Sequence, residues 1–436
     1  MKAFYVFVIA TLISFNLNTQ SLYFPPTSGN TWEAISPASL GYCQSKVDSL
    51  SDFLEAQNTK AFILLKDGKI VLEKYFGSHT QTSPWQWASA GKTITSFITG
   101  IAQQEGYLSI SDTTSAYLEQ GWTSCTPAQE DKITIRHQLT MTSGLDDGVP
   151  DHFCTLDTCL VYKTDPGKRW AYHNAPYTLL DDVIASATGQ TLNSYVTQKL
   201  KNPTGMTGAF IPVGYNNVFF STARSMARFG LLMLNKGNWN GKQIMTDETY
   251  FNQMVNTSQT LNHAYGYLWW LNGKQSYMVP GLQIVIPGTL FSNAPVDMIA
   301  AMGKGGQFLN VVPSQNLVWL RMGDEPGNTL VPFLLNNDIW SYINDLQCTT
   351  SVTEIGNSQR DIVQLFPNPG NDILHLMSEK PITKAEILNI YGQAVETIRP
   401  MANDISISTE VLTKGLYMVK ADLANGKIWT GKWIKI

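Results

Sequence analysis

The sequence is poor in charge of either sign and has no long hydrophobic run. Of 436 residues, 30 are Lys or Arg and 34 are Asp or Glu, so the formal net charge is only −4. This balance argues against the basic surface that nucleic acids and anionic membranes bind, and we expect neither partner. The apolar run from Ala3 to Phe15 follows a lysine and is too short to cross a bilayer, which is typical of a signal peptide. We therefore expect a signal peptide over residues 1–20, no transmembrane segment, and an exported protein.

Paired metal-binding motifs are also missing. The six histidines never fall within five residues of one another, and no CxxC occurs, so neither a local zinc site nor any other cofactor is predicted. Export makes disulfides plausible for the five cysteines, although an odd count leaves one over. We expect Cys43 to be close enough to Cys348 for a bridge, Cys154 and Cys159 to form a local pair, and Cys125 to be the odd residue.

The order of apolar patterns predicts an α+β fold. An amphipathic helix that contains Val47 and Leu50 precedes two apolar runs joined by Asp67-Gly68, which is a strong hairpin signal. Residues 89–285 are mostly helical in pattern, strands return over 297–323, and a closing helix follows. We therefore predict one antiparallel sheet, flanked by helices, whose strands come from both ends of residues 21–348 and enclose a helical insert. A polar linker over residues 349–362 and a small all-β sandwich over 363–436 complete the chain.

Ser89 and Lys92 are the first candidates for chemistry. They stand at i and i+3 in "QWASAGKTITSFITG", where small residues precede a helical pattern, so both side chains lie on one helical face. A serine needs a nearby base to become a nucleophile, and the start of a helix offers N–H groups for an oxyanion. The alternative is a capping serine followed by a solvated lysine. Alone, the SxxK pattern is weak.

Two further motifs accompany this pair. Tyr172-His173-Asn174 precedes a helical pattern, and at spacing two Tyr172 and Asn174 point the same way while His173 points the other. We expect nearby ammonium groups to lower the pKa of Tyr172, although a helix cap at Asn174 is the simpler reading. The second motif, Lys304-Gly305-Gly306-Gln307, would let a ligand lie flush against the backbone, or it is an ordinary turn. Four aromatic residues could line a pocket or belong to the core, namely Trp170, Tyr177, Trp269 and Trp270.

Together, in this order, the three motifs resemble those of the serine β-lactamase and penicillin-binding-protein family, over about residues 32–348. "ITIRHQLTMTSGLDDG" and "STARSMARFGLLMLNKGNWNGKQIM" are similar to phrases of its class C and esterase branches. The resemblance implies that Ser89 is the acylated nucleophile and that Lys92 and Tyr172 are its coupled base. It implies that Asn174 orients the substrate amide, that Ser89 and Gln307 supply oxyanion-hole N–H groups, and that Lys304 tunes the charge of the site.

One departure from the family pattern concerns the substrate. Where the family has a KTG threonine that helps to bind a carboxylate, this chain has Gly305 before Gly306. The missing hydroxyl favours an ester or linear-amide substrate over a β-lactam or peptidyl-D-alanine, which remain the alternative. A non-catalytic or slowly deacylating sensor is the alternative of another class. A Ser-His-Asp hydrolase is not supported, because the chain has no GxSxG motif.

The C-terminal segment resembles the sorting tail recognised by the type IX (Por) secretion system. The residues that carry this resemblance are "FPNPGNDILHL", "ILNIYGQAV" and "LTKGLYMVKA". It implies an interaction with that secretion machinery and a secreted or cell-surface location. The alternative is an adhesive or carbohydrate-binding sandwich.

Overall fold

The computed structural model describes residues 22–324, 331–348, 363–389 and 393–436. The predicted signal peptide and linker lie outside these ranges. The described residues fall into two compact units, one on either side of residue 350. Within the described ranges, no helix combines the length and apolarity needed to span a membrane.

The first unit contains both helices and strands. Its helices, in chain order, are α1 (Gln44–Ala56), α2 (Lys92–Gln104), α3 (Ser115–Leu118), α4 (Pro127–Glu130), α5 (Ile135–Leu139), α6 (Asn174–Thr178), α7 (Leu180–Thr188), α8 (Leu192–Val196), α9 (Asn202–Thr204), α10 (Ala223–Leu234), α11 (Glu248–Met254) and α12 (Phe333–Asn344). Its strands are β1 (Thr59–Lys66), β2 (Lys69–Tyr75), β3 (Trp85–Gln86), β4 (Ala209–Val213), β5 (Asn216–Ser221), β6 (Asn238–Trp239), β7 (Lys242–Gln243), β8 (Trp270–Leu271), β9 (Ser276–Tyr277), β10 (Ile286–Pro287), β11 (Ile299–Gly303), β12 (Gln307–Val312) and β13 (Leu317–Gly323).

The central sheet has the strand order β2-β1-β13-β12-β11-β8, and its neighbouring strands are antiparallel. The N-terminal hairpin therefore pairs directly with the last strand of the unit, with Leu64 opposite Trp319. The predicted fold class, a sheet built from both ends of the segment and flanked by helices, is confirmed. The insert is less helical than predicted, because it also holds the short hairpins β4–β5, β6–β7 and β9–β10.

The turn between β1 and β2 shows why the hairpin signal was reliable. Asp67 and Gly68 both have positive φ, 51° and 82°, as a two-residue hairpin turn requires. A side chain at position 68 would also overlap with the backbone of Tyr23, so glycine is needed there for space as well as for conformation.

Helices cover the sheet with apolar side chains. The strands β11, β12 and β13 are buried along their whole length, and α10 packs across β12, β13 and β1. The helices α1 and α12 pack on each other, with the rings of Phe53 and Tyr342 stacked at 4.4 Å. α2 is buried from Lys92 to Ala102 and forms the centre of the helical region.

The second unit is all-β, as predicted. It consists of β14 (Val363–Phe366), β15 (Ile373–Leu388), β16 (Ala394–Ile398), β17 (Ala402–Ser408), β18 (Gly415–Leu423) and β19 (Ile428–Lys435). The long strand β15 pairs with β17 through its first half and with β18 through its second half. Its own core includes Leu374, Ile387, Val419 and Trp433, so this unit is cored separately from the first.

Two disulfides connect the predicted cysteine pairs. Cys43 and Cys348 are bridged with their Cα atoms 4.9 Å apart, and Cys154 and Cys159 are bridged at 5.8 Å. Backbone hydrogen bonds flank the first bridge, since Cys43 N–H donates to Leu346 and Cys348 N–H donates to Gly41. Cys125 retains a free thiol.

We predict that the two disulfides contribute unequally to stability. A bridge that spans 305 residues restricts the unfolded chain far more than one that spans 5. The double variant C43A/C348A should lose about 5 kcal/mol of unfolding free energy in urea, and C154A/C159A about 2 kcal/mol. Equal losses for the two pairs would contradict this expectation.

Candidate active site

Ser89 lies on a short 3₁₀ turn, Ala88–Gly91, that leads into α2. The turn is held to β5 by Trp87, whose N–H donates to the Phe219 carbonyl and whose indole N–H donates to the Ser221 hydroxyl, both at 2.8 Å. Trp87 is completely buried, while Ser89 is only half-buried. The core therefore fixes the turn and leaves Ser89 partly exposed.

Lys92 reaches back to Ser89 from the first turn of α2. Its Nζ donates to the Ser89 Oγ at 2.8 Å, and the side chain is only 3% exposed. The ammonium also lies over the rings of Tyr172 and Tyr177, 5.1 and 4.4 Å from their centroids. Burial lowers the pKa of Lys92 to about 7, and the nearby Asp181 carboxyl acts in the opposite direction. The reading of Lys92 as a solvated surface residue is therefore wrong.

Tyr172 stands beside the same pair. Its phenol lies near the Ser89 hydroxyl, and its ring stacks on Trp270 at 5.9 Å. Burial raises the pKa of Tyr172 to about 12 and outweighs the lowering effect of the nearby hydroxyl. The expectation of a lowered Tyr172 pKa is wrong, because desolvation of the phenolate dominates and the nearby lysine has lost much of its tendency to hold a charge.

Asn174 begins α6 and is 5% exposed. Its Oδ1 is buried and has no hydrogen-bond partner in the part of the chain that the structure describes. His173 is buried, and the charges that act on it, from Asp147, His152, Asp146 and Arg169, come from the preceding loop. Burial lowers the pKa of His173 to about 4, so it is neutral at physiological pH.

The four residues of the Lys304–Gln307 motif have different surroundings in the structure. Lys304 is exposed in the turn between β11 and β12. The Gln307 side chain is buried and bonds to the Lys304 carbonyl and to both backbone groups of Gly323. The carbonyls of Gly305 and Gly306 accept from the buried guanidinium of Arg321, at 3.0 and 2.8 Å. Much of the motif therefore anchors the hairpin to β13.

Gly303, one residue before that motif, is the residue that approaches the serine. A Cβ at this position would lie 3.0 Å from the backbone nitrogens of both Ser89 and Ala90 and would overlap with the Trp87 carbonyl. The sequence analysis overlooked Gly303. Its signal, a glycine that ends a fully buried strand, is visible in the sequence only once the strand has been placed.

The aromatic residues named in the sequence analysis are buried around this site. Trp170 contacts Tyr265 and Trp270 edge-on, at 5.4 and 6.2 Å between ring centroids, and Trp269 belongs to the same core. Tyr177 is the one that touches the Lys92 ammonium. Within the described ranges, no cluster of three His, Cys, Asp or Glu side chains is placed to hold a metal ion.

A helix-borne lysine beside a serine next to an antiparallel sheet is typical of the β-lactamase and penicillin-binding-protein class of serine hydrolases. Residues 53–329 match the β-lactamase family, and the chain belongs to that family. Residues 364–435 match the secretion system C-terminal sorting domain, which directs proteins to the cell surface or the extracellular space by type IX secretion.

The chain is also similar to individual proteins, one by sequence and two by structure. An uncharacterized protein of Alkalihalophilus pseudofirmus is 26% identical over 313 residues, which are 63% of this chain and 86% of that protein. A solved structure of a provisionally assigned β-lactamase from Bacteroides dorei is 18% identical with a TM-score of 0.57, and covers 70% of this chain and 99% of its own. A provisionally assigned 6-aminohexanoate-dimer hydrolase from Bacillus anthracis is 19% identical with a TM-score of 0.55, and covers 73% and 89%. The two solved structures share the fold.

We predict that Gly303→Ala disrupts the site without changing the fold. The added methyl group would push β11 away from the Ser89 turn. A misplacement of about 1 Å can slow a reaction about 10²-fold. The rate of labelling by a serine-reactive phosphonate should fall by about that factor. Gly148→Ala is the control, because its methyl group meets only a side-chain oxygen of Asp146. Labelling of both variants at the wild-type rate would show that the close approach of β11 is unimportant.

Proposed function

We propose that the protein is a secreted serine hydrolase that forms an acyl-enzyme on Ser89 and acts on an ester or a linear amide. The observation that carries the proposal is the 2.8 Å contact between the Lys92 Nζ and the Ser89 Oγ, made by a buried lysine. A lysine with a pKa of about 7 is divided between its two forms at neutral pH, so it can both accept and return a proton.

Acylation begins when Lys92 is neutral. Its lone pair takes the proton of the Ser89 hydroxyl across the same 2.8 Å contact, and the serine oxygen attacks the substrate carbonyl carbon. The negative charge that develops on the carbonyl oxygen is stabilised by the Ser89 N–H and by a second N–H from the residue 303–307 segment, where Gln307 remains our candidate.

Tyr172 completes the proton path. With a pKa of about 12 its phenol stays protonated, so it passes a proton from Lys92 to the departing amine or alkoxide and is reprotonated in turn. Water then attacks the acyl-enzyme by the reverse sequence and frees the acid. The unpartnered Oδ1 of Asn174 is suited to accept a hydrogen bond from a substrate amide N–H.

Two features favour an ester or linear amide over a β-lactam. The buried strand next to Ser89 ends in Ala301-Met302-Gly303 and has no hydroxyl to bind a substrate carboxylate, and the turn that follows has Gly305. A structure named for 6-aminohexanoate-dimer hydrolysis and one named for a β-lactamase share the fold about equally, so the fold is compatible with both substrate classes. Lys304, exposed on the turn, adds positive charge there.

We predict that Ser89→Ala abolishes hydrolysis and phosphonate labelling. Lys92→Ala and Tyr172→Phe should each lose about 10²-fold or more, and the double variant should be little worse, since both remove parts of one proton path. Lys304→Ala should cost much less. The measurement is turnover on p-nitrophenyl esters, linear amides and β-lactams, with intact mass to detect an acyl-enzyme and circular dichroism to confirm folding.

Ester or amide turnover that survives Ser89→Ala would contradict the catalytic role of Ser89. A persistent acyl adduct without turnover on every substrate would indicate a sensor, and turnover of β-lactams alone would indicate a β-lactamase.

We also propose that the type IX machinery recognises the C-terminal unit and that the hydrolase unit works without it. Deleting residues 363–436 should leave the specific activity of purified protein unchanged while the protein stays cell-associated in its native host. The physical reason is the separate core of each unit. A truncated protein that folds but loses activity would show that the tail belongs to the enzyme.

A further inference from the structure

Asp181 is a buried acid that the mechanism above does not use. It lies in the first turn of α7 and is only 8% exposed. Its Oδ2 accepts a hydrogen bond of 3.0 Å from the Asn217 amide on β5, whereas its Oδ1 is buried and finds no hydrogen-bond partner among the described residues. An ionised carboxylate with a free oxygen in such a place needs a compensating charge.

Lys92 is placed to provide that charge. The ammonium and the carboxylate attract each other, which raises the pKa of the lysine and lowers that of the acid. The two residues sit on the packed helices α2 and α7, and two other groups lie close by. One is Tyr177, whose ring touches the ammonium, and the other is the buried Thr95 hydroxyl, which lies close to Asp181 and Tyr177 without a well-formed bond to either.

The Asp181 carboxylate is also held by β5, the strand that supports the Ser89 turn. Asn217, which holds its Oδ2, lies two residues before Phe219 on β5. Phe219 accepts the Trp87 N–H and leaves no room for a side chain larger than hydrogen at Gly91 without a local shift. Asp181 therefore occupies a fixed position relative to both Ser89 and Lys92.

We propose that Asp181 is a positioning residue for the Ser89–Lys92 pair, and that its carboxylate is the buried counter-charge that holds the Lys92 ammonium beneath the serine. This inference rests on the proposed function, because it assigns Asp181 a role in the same proton transfer. Burial raises the pKa of Asp181 to about 7 against the effects of Asn217 and Lys92. Acid and base therefore titrate in the same range, and the proton that Lys92 takes from Ser89 is stabilised by a neighbouring negative charge.

The groups that face Asp181 determine the direction in which the pKa of Lys92 shifts when the Asp181 charge is removed. They are Lys92 and Thr95 from α2, Tyr177 from α6, Asn217 from β5, and the adjacent Asp182, whose own carboxylate raises the pKa of Asp181. Removing the Asp181 charge leaves the ammonium with less support, so the pKa of Lys92 falls and its neutral form persists to lower pH. In the wild type, kcat/KM should rise with pH through about 7, with an apparent pKa that belongs to the pair.

The test is the pH profile of kcat/KM on a p-nitrophenyl ester for Asp181→Asn, which keeps the shape of the side chain. Its acid limb should move to lower pH by about half a unit or more. The control Asp182→Asn removes an exposed charge from the next residue and should shift the limb much less. Asp181→Glu, which restores the charge, should return the limb towards the wild-type position. A purely structural role would lower stability or rate and leave the limb in place, and that result overturns the proposal.

A second variant covers the case in which Asp181→Asn fails to fold. Asn217→Ala removes the hydrogen bond that favours the ionised form of Asp181, so the acid limb should move in the same direction by a smaller amount. A limb that stays in place in this variant also overturns the proposal. Ser89→Ala tests the proposed function independently of Asp181. If Ser89→Ala is inactive and the acid limb of Asp181→Asn does not move, only the role of Asp181 is wrong. If Ser89→Ala remains active, the proposed function itself is wrong.

Discussion

The burial of one ammonium group, that of Lys92, is the constraint on which the site depends. Moving a charge out of water costs several kcal/mol, and the protein offsets that cost only in part. A hydroxyl and two aromatic faces contact the nitrogen, and the Asp181 carboxyl acts on it without forming an ion pair among the described residues. The uncompensated remainder appears as a pKa of about 7 in place of the ordinary value of 10.5. In the mechanism we propose, the same desolvation that destabilises the ammonium produces the base for acyl transfer.

The sheet and the helices supply the rigidity that this placement requires. β5 fixes the Ser89 turn through Trp87, β11 closes against it at Gly303, and α2 carries the lysine at a spacing of one turn. Since β11 belongs to the same sheet as the N-terminal hairpin, segments from both ends of the first unit must assemble before the site is complete. The geometry of the candidate site is therefore a property of the complete first unit.

The features that the sequence predicts correctly depend on local chemistry. The Asp67-Gly68 hairpin depends on backbone conformation, and the Ser89–Lys92 contact depends on helical geometry. The structure also contains both predicted disulfide pairs. The orientation of the 304–307 turn depends on hydrogen bonds from Arg321. The sequence pattern around Arg321 predicts only that it belongs to a strand. The pKa of Tyr172 depends on how deeply it is buried, which motif spacing does not report. Asp181 shares a helical face with Asn174 and Tyr177 at spacings of three and four, a pattern that could have signalled it.

The Cys43–Cys348 bridge has a mechanical consequence for a protein that carries a sorting tail. Cys348 ends the last described segment of the hydrolase unit, and the bridge ties it to the residue before α1, whose helix packs on α12. Tension applied to the chain beyond Cys348 acts first on this covalent crosslink. The crosslink passes the load to the packed helices α1 and α12, so tension on the tail does not unfold α12 one turn at a time.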